Sequence, residues 1–183
     1  MNFFRIFIIF FLIYVFVLPV HSSQKSTLNK LFNKLETVSN IKTAKILEKK
    51  IWSIWNKHPK DIRLTEKLAF GVELIRYGNY DYALKVFNNI LLSDPGWSEA
   101  WNKRATVFFL MKQYKKSLSD IEKVLRIESR HFGALSGQAR IFIKLQQYEK
   151  AIISLEKVLK FYPSFKSGVL ITEIERLIKE ESI

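Results

Sequence analysis

The residues best suited by type and spacing to do chemistry are Glu128-Ser129-Arg130-His131. A histidine with a carboxylate three residues earlier can act as a general base that the carboxylate orients, which would make the chain an enzyme centred on His131. The same run also reads as the start of a helix, where polar side chains satisfy free backbone N–H groups. The sequence favours that second reading, because nothing around the run supplies a substrate site. No phosphate loop, nucleophile elbow, HExxH or paired-carboxylate spacing occurs elsewhere. The absence of cysteine excludes disulfides, thiolate metal sites and cysteine nucleophiles, and His21, His58 and His131 are scattered. No metal and no cofactor is expected. Trp52, Trp55, Trp97 and Trp101 would make an aromatic box if they converged, but at helical spacing they are expected in the core.

The elements that must carry these residues are legible from periodicity. With 48% hydrophobic and 26% charged residues, the 183-residue chain has a globular composition sufficient for one domain, and six Gly and four Pro suit long helices with short connections. Tyr80, Tyr114 and Tyr148 are 34 apart, as are Ala83, Ser117 and Ala151, and Gly71, Ala105 and Ala139. Phe87, Ile121 and Leu155, then Ile90, Val124 and Val158, and Leu91, Leu125 and Leu159 keep the same step. Within a unit, Ala83, Phe87, Ile90 and Leu91 fall at i, i+4, i+7 and i+8, one face of an amphipathic helix. Trp101, Ala105 and Phe108 describe a second helix, and the small column lets the two helices of a pair approach closely. Gly78-Asn79 marks a turn inside a unit, and Asp94-Pro95 ends one.

This pattern resembles the tetratricopeptide repeat. Trp101, Ala105, Phe108, Tyr114, Ser117, Ile121 and Val124 fill that family's motif of large, small, aromatic, Tyr, small and apolar positions. The resemblance covers Leu64 to Phe165 and departs from the motif at Lys67, Leu74 and Ser129. The run WSEAWNKRA…LRIESRHFGALSG is also similar to small exported tetratricopeptide proteins of alphaproteobacteria. The resemblance implies an all-α, right-handed α-solenoid with units at 64–97, 98–131 and 132–165. It further implies a binding groove lined by the first helix of each unit.

Helical spacing puts Asn102, Thr106 and Phe109 on the side away from Trp101, Ala105 and Phe108 (roughly 100° per residue). Ser136 and Arg140 are their equivalents one unit later, with Lys144 on the next turn. These six are the expected contacts for a protein or peptide partner, with Arg140 meeting an acidic group. Gly133 and Gly137 nearby suit either the close approach of a ligand or close packing against the preceding unit. Family members that clamp a chaperone's C-terminal carboxylate use Lys, Asn and Arg at positions where this chain has Leu68, Val72, Lys103, Gly133 and Gly137. The clamp is therefore absent.

Flanking segments complete the layout. Residues 23–60 read as a helical pair, a divergent repeat or N-terminal cap, with Leu28, Leu31, Phe32, Leu35 and Val38 on one face. Residues 166–183 read as a capping helix with Val169, Leu170, Ile174, Leu177 and Ile178 inward. Residues 1–22 match a signal peptide: Arg5 precedes the apolar run Ile6–Leu18, and Pro19 ends it. The chain is thus expected to be exported to the periplasm. An uncleaved segment would instead anchor it in the inner membrane, as a tethered structural adaptor working through its basic N-terminal helices. The net charge is +13, and residues 23–60 contribute nine Lys against two Glu. Lys42, Lys45, Lys49 and Lys50 lie along one helix, so an anionic membrane surface is a second candidate partner. Nucleic acid is a poor match for an exported protein.

Overall fold

The computed structural model describes residues 20–181, so the expected leader lies outside it except for its last three residues. Helices α1 (Val20–Thr37) and α2 (Ile41–Trp55) form a hairpin. Three pairs follow: α3 (Ile62–Arg76) with α4 (Tyr80–Ser93), α5 (Ser98–Leu110) with α6 (Tyr114–Ile127), and α7 (Phe132–Lys144) with α8 (Tyr148–Phe161). Helix α9 (Ser167–Glu181) closes the series, and no strand occurs among the described residues. The architecture is an all-α solenoid of helix pairs.

The small column does what close pairing requires. A Cβ at Gly71 would lie 2.6 Å from the Phe87 ring, and Ala105 and Ala139 are buried. Ser117 adds a hydrogen bond across its pair, donating Oγ–H to the Ala105 carbonyl at 2.7 Å. Arg104 on α5 holds Asp120 of α6 within its pair through two nitrogens (2.8 and 2.7 Å) and reaches the preceding pair by donating to Asn88 of α4 at 2.7 Å. The turn inside each unit repeats as faithfully as the core. Gly78, Lys112 and Gln146 all have positive φ (73°, 58° and 56°). The next residue in each case, Asn79, Gln113 or Gln147, donates back to the Leu74, Phe108 or Phe142 carbonyl at 2.8 Å. This is a Schellman stop for the first helix, which glycine adopts without steric cost and Lys or Gln does not.

The N-terminal pair goes somewhere the 34-residue register does not predict. Its buried face (Leu28, Phe32, Leu35, Ala44, Leu47, Ile51 and Trp55) shares a core with Phe132, Leu135, Val158 and Tyr162 of the third unit. The hairpin folds back along the edge formed by the junctions between units. There the Trp97 indole N–H donates to the Trp55 carbonyl at 2.9 Å, and Arg130 lies 4.3 Å from the Phe32 ring centre. The Tyr162 hydroxyl donates to Glu48 at 3.1 Å. The hairpin is a clasp on the third unit, so the first unit keeps an open face on which Phe70 is exposed.

At the other end, Ile174 is buried with Ala139, Ala151 and Leu155, and Ile171 and Ile178 pack beside it. Leu170, expected inward, is exposed instead, because the contact stripe runs through Ile171 and leaves Leu170 at its rim. The side chains of Val169 and Leu177 lie outside the described residues.

Candidate functional site

The first helices of the second and third units, α5 and α7, border a cavity of about 330 Å³ whose opposite wall is α2. Five of the six residues expected to contact a partner line it together: Asn102, Thr106, Phe109, Ser136 and Arg140. Lys144 is exposed one turn beyond Arg140 and lies outside the lining. The hydroxyl protons are already used. Thr106 donates to the Asn102 carbonyl at 3.0 Å, and Ser136 to the Phe132 carbonyl at 2.7 Å, which leaves both oxygens as acceptors. Arg140 and Lys144 have no carboxylate within ion-pair distance among the described residues. Glu48, Trp52 and Phe165 close the wall from outside the helices of the second and third units.

Asn102 differs in kind from the other lining residues. It is buried, and its amide donates to Glu99 Oε2 at 3.1 Å, so it holds a carboxylate of its own chain in place. That carboxylate is the centre of a polar knot behind the groove. Glu99 is fully buried, with Lys103 Nζ at 2.7 Å and His131 Nε2 at 2.9 Å. Burial alone would push the Glu99 carboxyl up, but the Lys103 and His131 contacts outweigh it and hold the group below the usual carboxylate range.

His131 is therefore not the base that the local run suggested. Its ring is fully buried, where no substrate reaches it, and its acid partner is Glu99 rather than Glu128. Glu128 is bound to Arg130 at 2.9 Å. His131 caps α7 from inside: Nδ1 accepts the Ala134 N–H at 3.1 Å, which leaves Nε2–H as the donor to Glu99. The indole of Trp55 stacks on it at 4.0 Å and 8°. His58 is used in the same way, accepting the Asp61 N–H at 2.9 Å and bonding Asp94 at 2.8 Å beside Trp97.

The glycines also separate. A Cβ at Gly133 would sit 2.5 Å from the Trp52 ring, so this glycine admits the clasp rather than the preceding unit. A Cβ at Gly137 would meet only Ile121, at an ordinary 3.7 Å. Lys42, Lys45, Lys49 and Lys50 are all exposed on α2. Among the described residues no cluster of His, Asp or Glu could hold a metal, and no helix is long and apolar enough to cross a membrane.

The family model of the tetratricopeptide repeat matches residues 98–131 and 133–165. These residues are tetratricopeptide repeats. The chain is 36% identical over 116 residues to a TPR repeat-containing protein of Rhizobium etli, a match covering 63% of this chain and 56% of that protein. It thus spans little more than half of that relative. Its tetratricopeptide fold is similar to the first TPR of Spaghetti (RPAP3) bound to HSP90 peptide SRMEEVD, with TM-score 0.60, 21% identity and coverage of 63% of this chain and 93% of that one. It is also similar to MamA protein, with TM-score 0.53, 15% identity and coverage of 86% and 90%. In this tetratricopeptide groove the clamp positions hold a buried Leu68, a Lys103 committed to Glu99, and a Gly133 covered by Trp52.

Proposed function

We propose that the chain is a non-enzymatic protein-interaction module of the bacterial envelope, holding an extended segment of a partner protein in the groove between α2, α5 and α7. The carrying observation is Arg140, an exposed guanidinium with no carboxylate partner among the described residues, on a groove that also offers two hydroxyl acceptors. A strand-like segment would place its backbone N–H groups on Thr106 and Ser136 and an acidic side chain on Arg140. The similarity to a domain that holds an HSP90 peptide supports the class of function, and the missing clamp argues for a different ligand. Export to the envelope rests on the composition of residues 1–22.

The test is crosslinking and affinity capture from native envelope fractions, comparing wild type with Arg140→Glu and with Thr106→Trp, which fills the cavity. Both variants should keep the wild-type circular dichroism spectrum and lose the captured partner. Folded variants that retain every partner would exclude the groove. Asn102→Ala is a poor probe of the groove, because it strips a hydrogen bond from buried Glu99. Mass spectrometry of the native protein should find its N-terminus near Ser23; intact Met1 on membrane-bound protein would overturn the cleaved leader.

A further inference from the structure

The clasp presents to solvent a face that neither the groove nor the core uses. On α2 the inward residues are Ala44, Leu47, Ile51 and Trp55. At roughly 100° per residue, the opposite arc holds Lys42, Lys45, Ile46, Lys49, Lys50 and Ser53, and no carboxylate. Ile46 is 54% exposed at its centre, and Ile41 is 60% exposed at the helix start. Glu48 points away from this arc, where the Tyr162 hydroxyl holds it. Lys30 and Lys34 are exposed on α1 alongside, with Glu36 the exposed carboxylate of the hairpin. None of the lysines from Lys30 to Lys50 has an ion pair among the described residues.

Two physical features of this face point the same way. Unneutralised like charges on one face repel one another, and the free energy of holding them together falls when an anionic surface supplies the counter-charge. An exposed isoleucine, Ile46, standing among lysines matches an interfacial helix, in which a short apolar group enters the headgroup boundary while long cationic chains reach the phosphates. A soluble acidic protein would satisfy the charges but would need a pocket for the exposed Ile46 at the centre of the arc, which the acyl boundary of a bilayer supplies without one. The rigidity of the clasp matters too: its inner face is fixed by a continuous core, so the outer face is presented as one preformed surface.

We infer that the outer face of α1–α2 docks on anionic lipid bilayers, with Lys42, Lys45, Lys49 and Lys50 on the headgroup phosphates and Ile46 at the acyl boundary. The surface is separate from the groove, so failure here leaves the peptide reading intact.

The chain contains no cysteine, so Ile46→Cys can carry one environment-sensitive fluorophore, and Leu92→Cys, on a still more exposed residue of the first unit, serves as the control. The protein with its native N-terminus is mixed with vesicles of phosphatidylcholine alone or with one-quarter phosphatidylglycerol. The expected result is a blue-shifted, brighter probe at position 46 with anionic vesicles only, reversed by 0.5 M NaCl, and no response at position 92. Replacing Lys42, Lys45, Lys49 and Lys50 by Gln should lower vesicle partitioning about 5-fold per lysine. An equal response to neutral vesicles, an equal response at position 92, or unchanged binding by the folded four-Gln variant would overturn the inference.

Discussion

Gly133 and Gly137 stand four residues apart on α7, and the structure gives them opposite responses to the same substitution. At Gly137 an added methyl meets Ile121 at 3.7 Å, an ordinary contact, so Gly137→Ala should show only the helix-propensity gain. That gain is about 1 kcal/mol, or roughly 2–4 °C in Tm for a chain of this size. At Gly133 the methyl would lie 2.5 and 2.9 Å from two carbons of the Trp52 ring. Trp52 cannot swing aside freely, because Trp55, His131 and Phe132 surround it edge-on at 5.3–5.6 Å. Overpacking of this kind costs about 1–3 kcal/mol, against which the propensity gain in the first turn is smaller than at Gly137. Gly133→Ala should therefore lose about 1–2 kcal/mol and lower Tm by roughly 2–8 °C. Thermal melts followed by circular dichroism at 222 nm measure both. If Gly133→Ala raises Tm as Gly137→Ala does, Trp52 is not seated on α7 and the clasp does not dock as described.

Ala139→Leu, at a fully buried small-column position, should cost about 1–3 kcal/mol in chemical denaturation, and an unchanged midpoint would refute the close pairing of α7 with α8. Lys112→Gly and Gln146→Gly should each stabilise by about 1 kcal/mol, since both residues adopt a positive φ that glycine takes at no steric cost. Glu99 has a folded-state pKa below its ordinary value, so its contribution is present above the carboxylate range and is lost as pH falls through and below 4.5. Glu99→Gln should flatten that acid limb in urea titrations. Tyr162 is pushed up to about 12 by burial and by the neighbouring Glu48, so its contribution holds below pH 10 and is lost as pH rises from 10 to 12. Tyr162→Phe should remove that alkaline limb and the latest-titrating phenol absorbance.

The three repeated units were legible because most of their columns recur at one step. The Tyr, small and apolar columns follow from periodicity, whereas the groove line from Asn102 to Arg140 needed the resemblance to the tetratricopeptide repeat as well. The clasp was not legible, since Glu48 meets Tyr162 across 114 residues and no local pattern encodes such a contact. The partner of His131 was missed for a related reason. Glu128 is its neighbour in sequence, whereas Glu99 reaches it only because the two begin successive first helices on adjacent layers. The two signals that did exist, a glycine in the first turn of α7 and a Trp52–Trp55 pair flanking an otherwise aliphatic stripe, complement each other only once the fold places them face to face.

A linear stack of helix pairs normally lets each layer feel only the layers beside it, so such arrays fray from their ends and lose layers one at a time. The clasp changes that topology. Hairpin and third unit share one core, and a hydrogen bond from Trp97 to the Trp55 backbone ties the same hairpin to the first junction. The third unit cannot peel away without opening the core it shares with the N-terminal hairpin, so two segments far apart in the chain depend on each other. The expected thermodynamic result is that hairpin and third unit melt together, while the first unit remains free to fray. The expected kinetic result is a late closure step, because residues 114 apart must meet before the clasp is rewarded.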